Sequence, residues 1–118
     1  MIDHITFGVS DYARAKTFYA TALAPLGFKP MMEFEQSCGF GDSHPFLWIT
    51  AGKTTKGLLH IALRANDRAA VDAFYRAAIE AGALDNGPPG VRVQYHPAYY
   101  GAFVLDPDGH NIEAVHHG

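Results

Sequence analysis

The chain has 118 residues, enough for one domain or for two small units sharing a core. It is 48% hydrophobic, 18% charged and 13% aromatic, a folded composition rather than a disordered one. A formal charge of −3 leaves no basic footprint for nucleic acid, and no apolar run nears the roughly 20 residues that span a bilayer. The one cysteine, Cys38, has no internal partner for a disulfide. Met1-Ile2-Asp3-His4 lacks the basic and apolar regions of a signal peptide, so the expected compartment is a reducing cytoplasm.

In chain order, Ile5, Phe7 and Val9 alternate with His4, Thr6 and Gly8, the two-residue period of a strand. Ser10-Asp11 then offers a helix start, and Ala15, Phe18, Tyr19, Ala22, Leu23 and Leu26 form one helical apolar stripe. Short strands follow at Phe28 to Phe34, Cys38 to Phe40 and Phe46 to Thr50. The order then repeats. His60-Ile61 stands 56 residues after His4-Ile5, and at that offset Asp11 falls on Asp67, Ala13 on Ala69, Phe18-Tyr19 on Phe74-Tyr75 and Ala22 on Ala78. Ile61 and Leu63 alternate with His60, Ala62 and Arg64, Asn66-Asp67 starts the second helix, and Val71, Phe74, Tyr75, Ala78, Ile79 and Gly82 occupy the stripe. Asp85 to Gly90 reads as a loop, and Val91 to Tyr95, Phe103 to Leu105 and Ile112 to Val115 as strands. Asp106-Pro107-Asp108-Gly109 makes a turn before the last strand.

This is a duplication of a strand-helix-strand-strand-strand unit. The expected fold is α+β, one domain over residues 1–118, with modules of about 1–56 and 57–118. Two tandem βαβββ modules are expected to form a curved, open, eight-stranded mixed sheet with the helices outside and a groove inside. Alternation turns His4, Thr6, His60, Arg64 and Glu113 away from the helices and into that groove. Two imidazoles and a carboxylate on three strands have the makings of a facial metal triad with positions left free for water or substrate. The plain alternative is that each is a hydrogen-bonded structural residue. A buried, unpartnered Glu113 would be costly, which weighs toward a partner for it.

The paired openings and the closing Asp106-Pro107-Asp108-Gly109-His110-Asn111-Ile112-Glu113 resemble the vicinal-oxygen-chelate superfamily, which contains glyoxalase I, extradiol dioxygenases, fosfomycin-resistance transferases and bleomycin-resistance proteins. The resemblance covers residues 2 to 116. It implies His4, His60 and Glu113 as ligands of one divalent ion (Fe, Mn, Zn, Ni or Co). It also places Trp48 where a fourth ligand stands in glyoxalase I. Trp48 can neither ligate nor act as a base, which favours dioxygenase- or transferase-like ligation, with glutathione as a possible co-substrate. The bleomycin-resistance branch supplies the alternative, sequestration of a small molecule without metal or reaction.

Tyr95, His96, Tyr99 and Tyr100 cluster before the final hairpin. Tyr95 and Tyr100 are candidate proton donors to substrate, and Trp48, Arg64, His96 and Tyr99 candidate substrate contacts. Each tyrosine could instead simply pack, and Arg64 could pair with Glu33 or Glu35. His44, His110, His116 and His117 are expected at the surface, and Cys38 as a small buried or edge residue. The resemblance and the free edges of an open sheet imply a homodimer, with modules paired within one chain or swapped between two.

Overall fold

Alternation along the opening residues produces β1 (Ile5–Gly8) in the computed structural model, which describes all 118 residues. Asp11 caps α1 (Tyr12–Leu23), its carboxylate accepting from the Arg14 N–H at 3.1 Å. The apolar stripe is the buried face of this helix, with Ala15, Phe18, Tyr19, Ala22 and Leu23 all enclosed. A short 3-10 turn at Ala24–Leu26 ends it, closed by Gly27 in the left-handed conformation (φ 86°) that glycine tolerates best. β2 (Lys29–Phe34), β3 (Ser37–Gly41) and β4 (Pro45–Thr50) complete the first module. Its sheet has the order β1-β4-β3-β2, with β1 parallel to β4 and the other neighbours antiparallel.

The second module repeats this plan. β5 (His60–Arg64) leads to α2 (Arg68–Glu80), capped by the Asp67 carboxylate on the Ala70 N–H at 2.7 Å. β6 (Leu84–Asp85), β7 (Gly90–Val91), β8 (Tyr100–Leu105) and β9 (Asn111–His116) follow. The order is β5-β9-β8-β6, with β7 also on β8 and β5 parallel to β9. The duplication holds in register: Thr6 lies opposite Trp48 and Ala62 opposite Glu113, so Trp48 and Glu113 are equivalent positions.

Nine strands in two mixed sheets therefore stand where eight were expected. The extra strand arises because Gly87-Pro88-Pro89-Gly90 interrupts the edge of the second sheet, proline having no N–H to give to a ladder. The strand expected over Val91 to Tyr95 is confined to Gly90–Val91. Residues 92–99 instead form a loop closed by the Arg92 N–H on the Tyr99 carbonyl at 2.8 Å.

The helices pack on each other and on the faces of the sheets opposite the two histidines, so one core of 23 buried residues draws on both modules. Polar groups bind the modules as well. The Tyr19 hydroxyl donates to Asp106 Oδ2 at 2.5 Å, and Asp106 Oδ1 accepts from the Asp108 and His110 N–H groups. His110 lies between Asp106 Oδ2 (3.1 Å from Nδ1) and the Thr55 carbonyl (2.9 Å from Nε2), edge-on to Phe7. At 2% exposed, His110 is not the surface residue its turn position suggested. No helix is long and apolar enough to cross a membrane.

Candidate functional site

The groove faces follow from strand parity. In the second module Ile61, Leu63, Ala102, Val104, Ile112 and Ala114 enter the core. The intervening residues, His60, Ala62, Arg64, Gly101, Phe103 and Glu113, therefore share the other face. There the His60 Nε2–H donates to Glu113 Oε1 at 2.8 Å. The His60 side chain is 45% exposed while that of Glu113 is 1% exposed, so an accessible imidazole covers an enclosed carboxylate. The second carboxylate oxygen, Oε2, accepts from the Tyr99 hydroxyl. Burial, and then the neighbouring Glu113, push the Tyr99 hydroxyl well above the usual tyrosine range.

In the first module the equivalent face carries Thr6, Trp48 and Thr50. It opens on a cavity of about 670 Å³ lined by His4, Thr6, Met32, Phe34, His44 and Trp48 among others. Trp48 rests directly on Gly39, where a Cβ would come within 2.6 Å of the indole, and Phe34 tilts against its ring at 5.8 Å. This is an apolar shelf with a polar rim. His4 stands on the rim, its Nδ1–H donating to Asp3 Oδ1 at 2.7 Å. That tautomer leaves the Nε2 lone pair free for a ligand. The same bond holds the Asp3 carboxyl below its usual range.

The expected residues thus fall into two groups. His60, Glu113 and Tyr99 meet on the second module, while His4 and Trp48 share the cavity of the first. No three His, Cys, Asp or Glu side chains of one chain converge as a metal-binding group, so His4 stands apart from the His60–Glu113 pair. Arg64 is exposed and forms no ion pair, Glu33 being held by Lys16 and Tyr12. His96 and His117 stack and share a hydrogen bond at 2.8 Å, both rings lying edge-on to Tyr99. Tyr95 packs exposed against Tyr99, with ring centroids 4.8 Å apart.

Tyr100 departs from its expected role. Its hydroxyl donates to Asp72 of α2 at 2.6 Å and Arg68 covers its ring, so it points to the helix side and away from Glu113. Parity carried the signal, because Tyr100 is in phase with the core residues Ala102 and Val104. His44, expected to be solvated, is exposed but also lines the cavity beside His4. Met32 and Phe34, read only as strand residues, are the apolar wall that was missed. They lie on the edge strand β2, where alternation does not say which face a ligand will use.

A pair of fused strand-helix-strand modules, packed by their helices on one core, defines the class. The chain matches the family Glyoxalase/Bleomycin resistance protein/Dioxygenase superfamily over residues 1–114, and it belongs to that superfamily. Among solved structures it is similar to a glyoxalase/bleomycin resistance protein from Albidiferax ferrireducens (28% identity, 97% of each chain covered, TM-score 0.84). A glyoxalase/bleomycin resistance protein/dioxygenase family enzyme from Burkholderia phytofirmans shares the fold at 18% identity, TM-score 0.78 and coverage of 99% of this chain and 98% of that one. So does a fosfomycin resistance protein from Listeria monocytogenes, complexed with Mn(II) and a dihydroxypropylphosphonic acid (20% identity, TM-score 0.72, 97% of this chain and 87% of that one). Among curated proteins no relative matches.

Proposed function

We propose that this protein is a divalent-metal-dependent enzyme of the superfamily, acting on a small substrate that presents neighbouring oxygens. The observation that carries this reading is the His60–Glu113 pair: an exposed imidazole nitrogen 2.8 Å from an oxygen of an enclosed carboxylate. An imidazole nitrogen and a carboxylate oxygen this close would hold one divalent ion together once the Nε2 proton is given up. His4, with Nε2 free on the rim of the other groove, completes the ligand set from a second copy of the chain, in a homodimer whose grooves are composite. The imidazole and carboxylate donors suit Fe, Mn, Zn, Ni or Co. When bound, the ion supplies Lewis acidity to neighbouring substrate oxygens.

The residues of the chain do the rest. Trp48, Phe34 and Met32 offer an apolar wall for the remainder of the substrate, and Thr6, Ser37 and Thr50 supply hydroxyls along its edge. Trp48 occupies the position equivalent to Glu113, so a fourth protein ligand is missing and the base needed for glyoxalase I chemistry is missing with it. Dioxygenase- or transferase-like ligation, in which substrate oxygens complete the shell, is therefore preferred. The apolar shelf also favours a second reading, metal-free sequestration of a small molecule.

Elemental analysis of untagged protein after dialysis against Mn, Fe, Co, Ni or Zn tests the choice. About one equivalent of metal per chain, lost in folded His60→Ala and Glu113→Gln variants, is expected. Folded wild type that retains none of the five ions overturns the metal reading, and ligand binding through Trp48 would then support sequestration. Catechol turnover and glutathione-conjugation assays on the loaded protein separate the dioxygenase from the transferase reading.

A further inference from the structure

The face of Glu113 that His60 does not use is closed by a prepared structure. The Tyr99 hydroxyl donates to Glu113 Oε2, and glycine at 101 leaves this contact uncrowded: a Cβ there would press on it, 3.2 Å from Oε2 and 3.2 Å from the Tyr99 ring. Tyr99 is itself held. Its carbonyl accepts from Arg92 at 2.8 Å and its N–H donates to the His96 carbonyl at 3.1 Å. Its ring is flanked by Tyr95, His96 and His117, and the last two are bonded to each other. Arg92 is anchored in turn by the Pro88 carbonyl at 2.7 Å and by the Phe103 ring.

We infer that Tyr99 is a positioning residue that ties down Glu113 Oε2 and so orients Oε1, beside His60 Nε2, toward a metal. The inference rests on the metal reading above and extends it to a residue that touches no ligand position. A carboxylate held in this way would present Oε1, beside His60 Nε2, to a metal while Oε2 stays engaged by the Tyr99 hydroxyl. A metal-bound carboxylate generally depends on such an outer hydrogen bond for its orientation. If Tyr99 merely satisfied a buried carboxylate, its loss would lower stability and leave the metal's affinity and coordination as they were.

Co(II) titration of chelator-treated full-length protein, followed by visible absorption and by calorimetry, separates these roles. Wild type is expected to bind Co(II). Tyr99→Phe, shown to be folded by its thermal transition, is expected to bind about 10- to 100-fold more weakly and with an altered visible spectrum. Gly101→Ala attacks the same contact without touching either side chain. It is expected to move affinity and spectrum in the same direction, which keeps the test open should Tyr99→Phe fold poorly. Wild-type affinity and spectrum in the folded variants overturn the role of Tyr99 while leaving the metal reading standing. No Co(II) binding by the wild type overturns the metal reading, and this inference with it.

Discussion

Trp48 is the only tryptophan of the chain, and its setting on Gly39 makes a sharp local test. In Gly39→Ala the new methyl would meet the indole at 2.6 to 2.7 Å and Pro45 Cβ at 2.8 Å, closer than carbon atoms approach, so the ring must lift from the strand into the cavity. The expected outcome is a red-shifted tryptophan emission and a stability loss of about 1–3 kcal/mol, read from fluorescence and from a denaturant titration. Asp106 is a second such point, since Tyr19, His110 and two backbone N–H groups all use its carboxylate. Asp106→Ala is expected to cost about 3–5 kcal/mol, measured as a lowered urea midpoint, because it strands buried partners in both modules. The sequence announced Trp48 through its alignment with Glu113, and the register bears out that alignment. It hid the role of His110. A histidine beside a turn sequence reads as exposed, and the groups that bury it, Phe7 and Thr55, lie more than fifty residues away.

Elements were the most legible level, because their signals are local. The helix caps Asp11 and Asp67 and the two apolar stripes could be read directly, whereas β6 and β7 could not. Their pairing depends on where β8 runs, and Pro88-Pro89 leaves little alternation to follow. What ties the elements together is a set of tyrosine hydroxyls that no short pattern reveals. Tyr12 joins α1 to Glu33 of β2, Tyr19 reaches Asp106, Tyr75 joins α2 to Asp85 of β6, and Tyr100 joins β8 to Asp72 of α2. With Tyr99, these are five of the six tyrosines, and all five hydroxyls are pushed above their usual value. For Tyr100 the bond to Asp72 is the first cause, and for the others burial is. The sign follows from linkage: the folded state keeps protons that the unfolded chain releases at about pH 10, so stability is intact below that pH and falls as pH rises beyond it. In an alkaline titration followed by tyrosinate absorbance, most of the signal is expected to arrive together with loss of helical circular dichroism. Smooth ionisation of all six tyrosines near pH 10 with the fold intact would contradict these ties.

At the scale of the whole molecule, the fold sorts the candidate residues into two separate groups. The helix-side faces of both modules are spent on one core, which leaves His4 and Trp48 on the cavity of the first module and His60 and Glu113 paired on the outer face of the second. Duplication explains why both halves exist in one chain, and alternation explains why all four residues avoid the core. Neither says which grooves face each other, because that depends on how modules pair and not on any local pattern. A C2 dimer that sets the first groove of one chain against the second groove of another would make two identical composite sites. Mixing two inactive variants tests this arrangement. His4→Ala and His60→Ala chains, each alone, are expected to bind no metal tightly. After mild denaturation and refolding together, each mixed dimer should regain one intact site, formed by the His4 of the second variant and the His60 and Glu113 of the first. The other site of that dimer lacks both histidines. Metal retention in the mixture, measured by elemental analysis against each variant refolded alone, is the expected result. If both variants lose metal and mixing restores none, although refolded wild type recovers its own, the composite dimer is excluded.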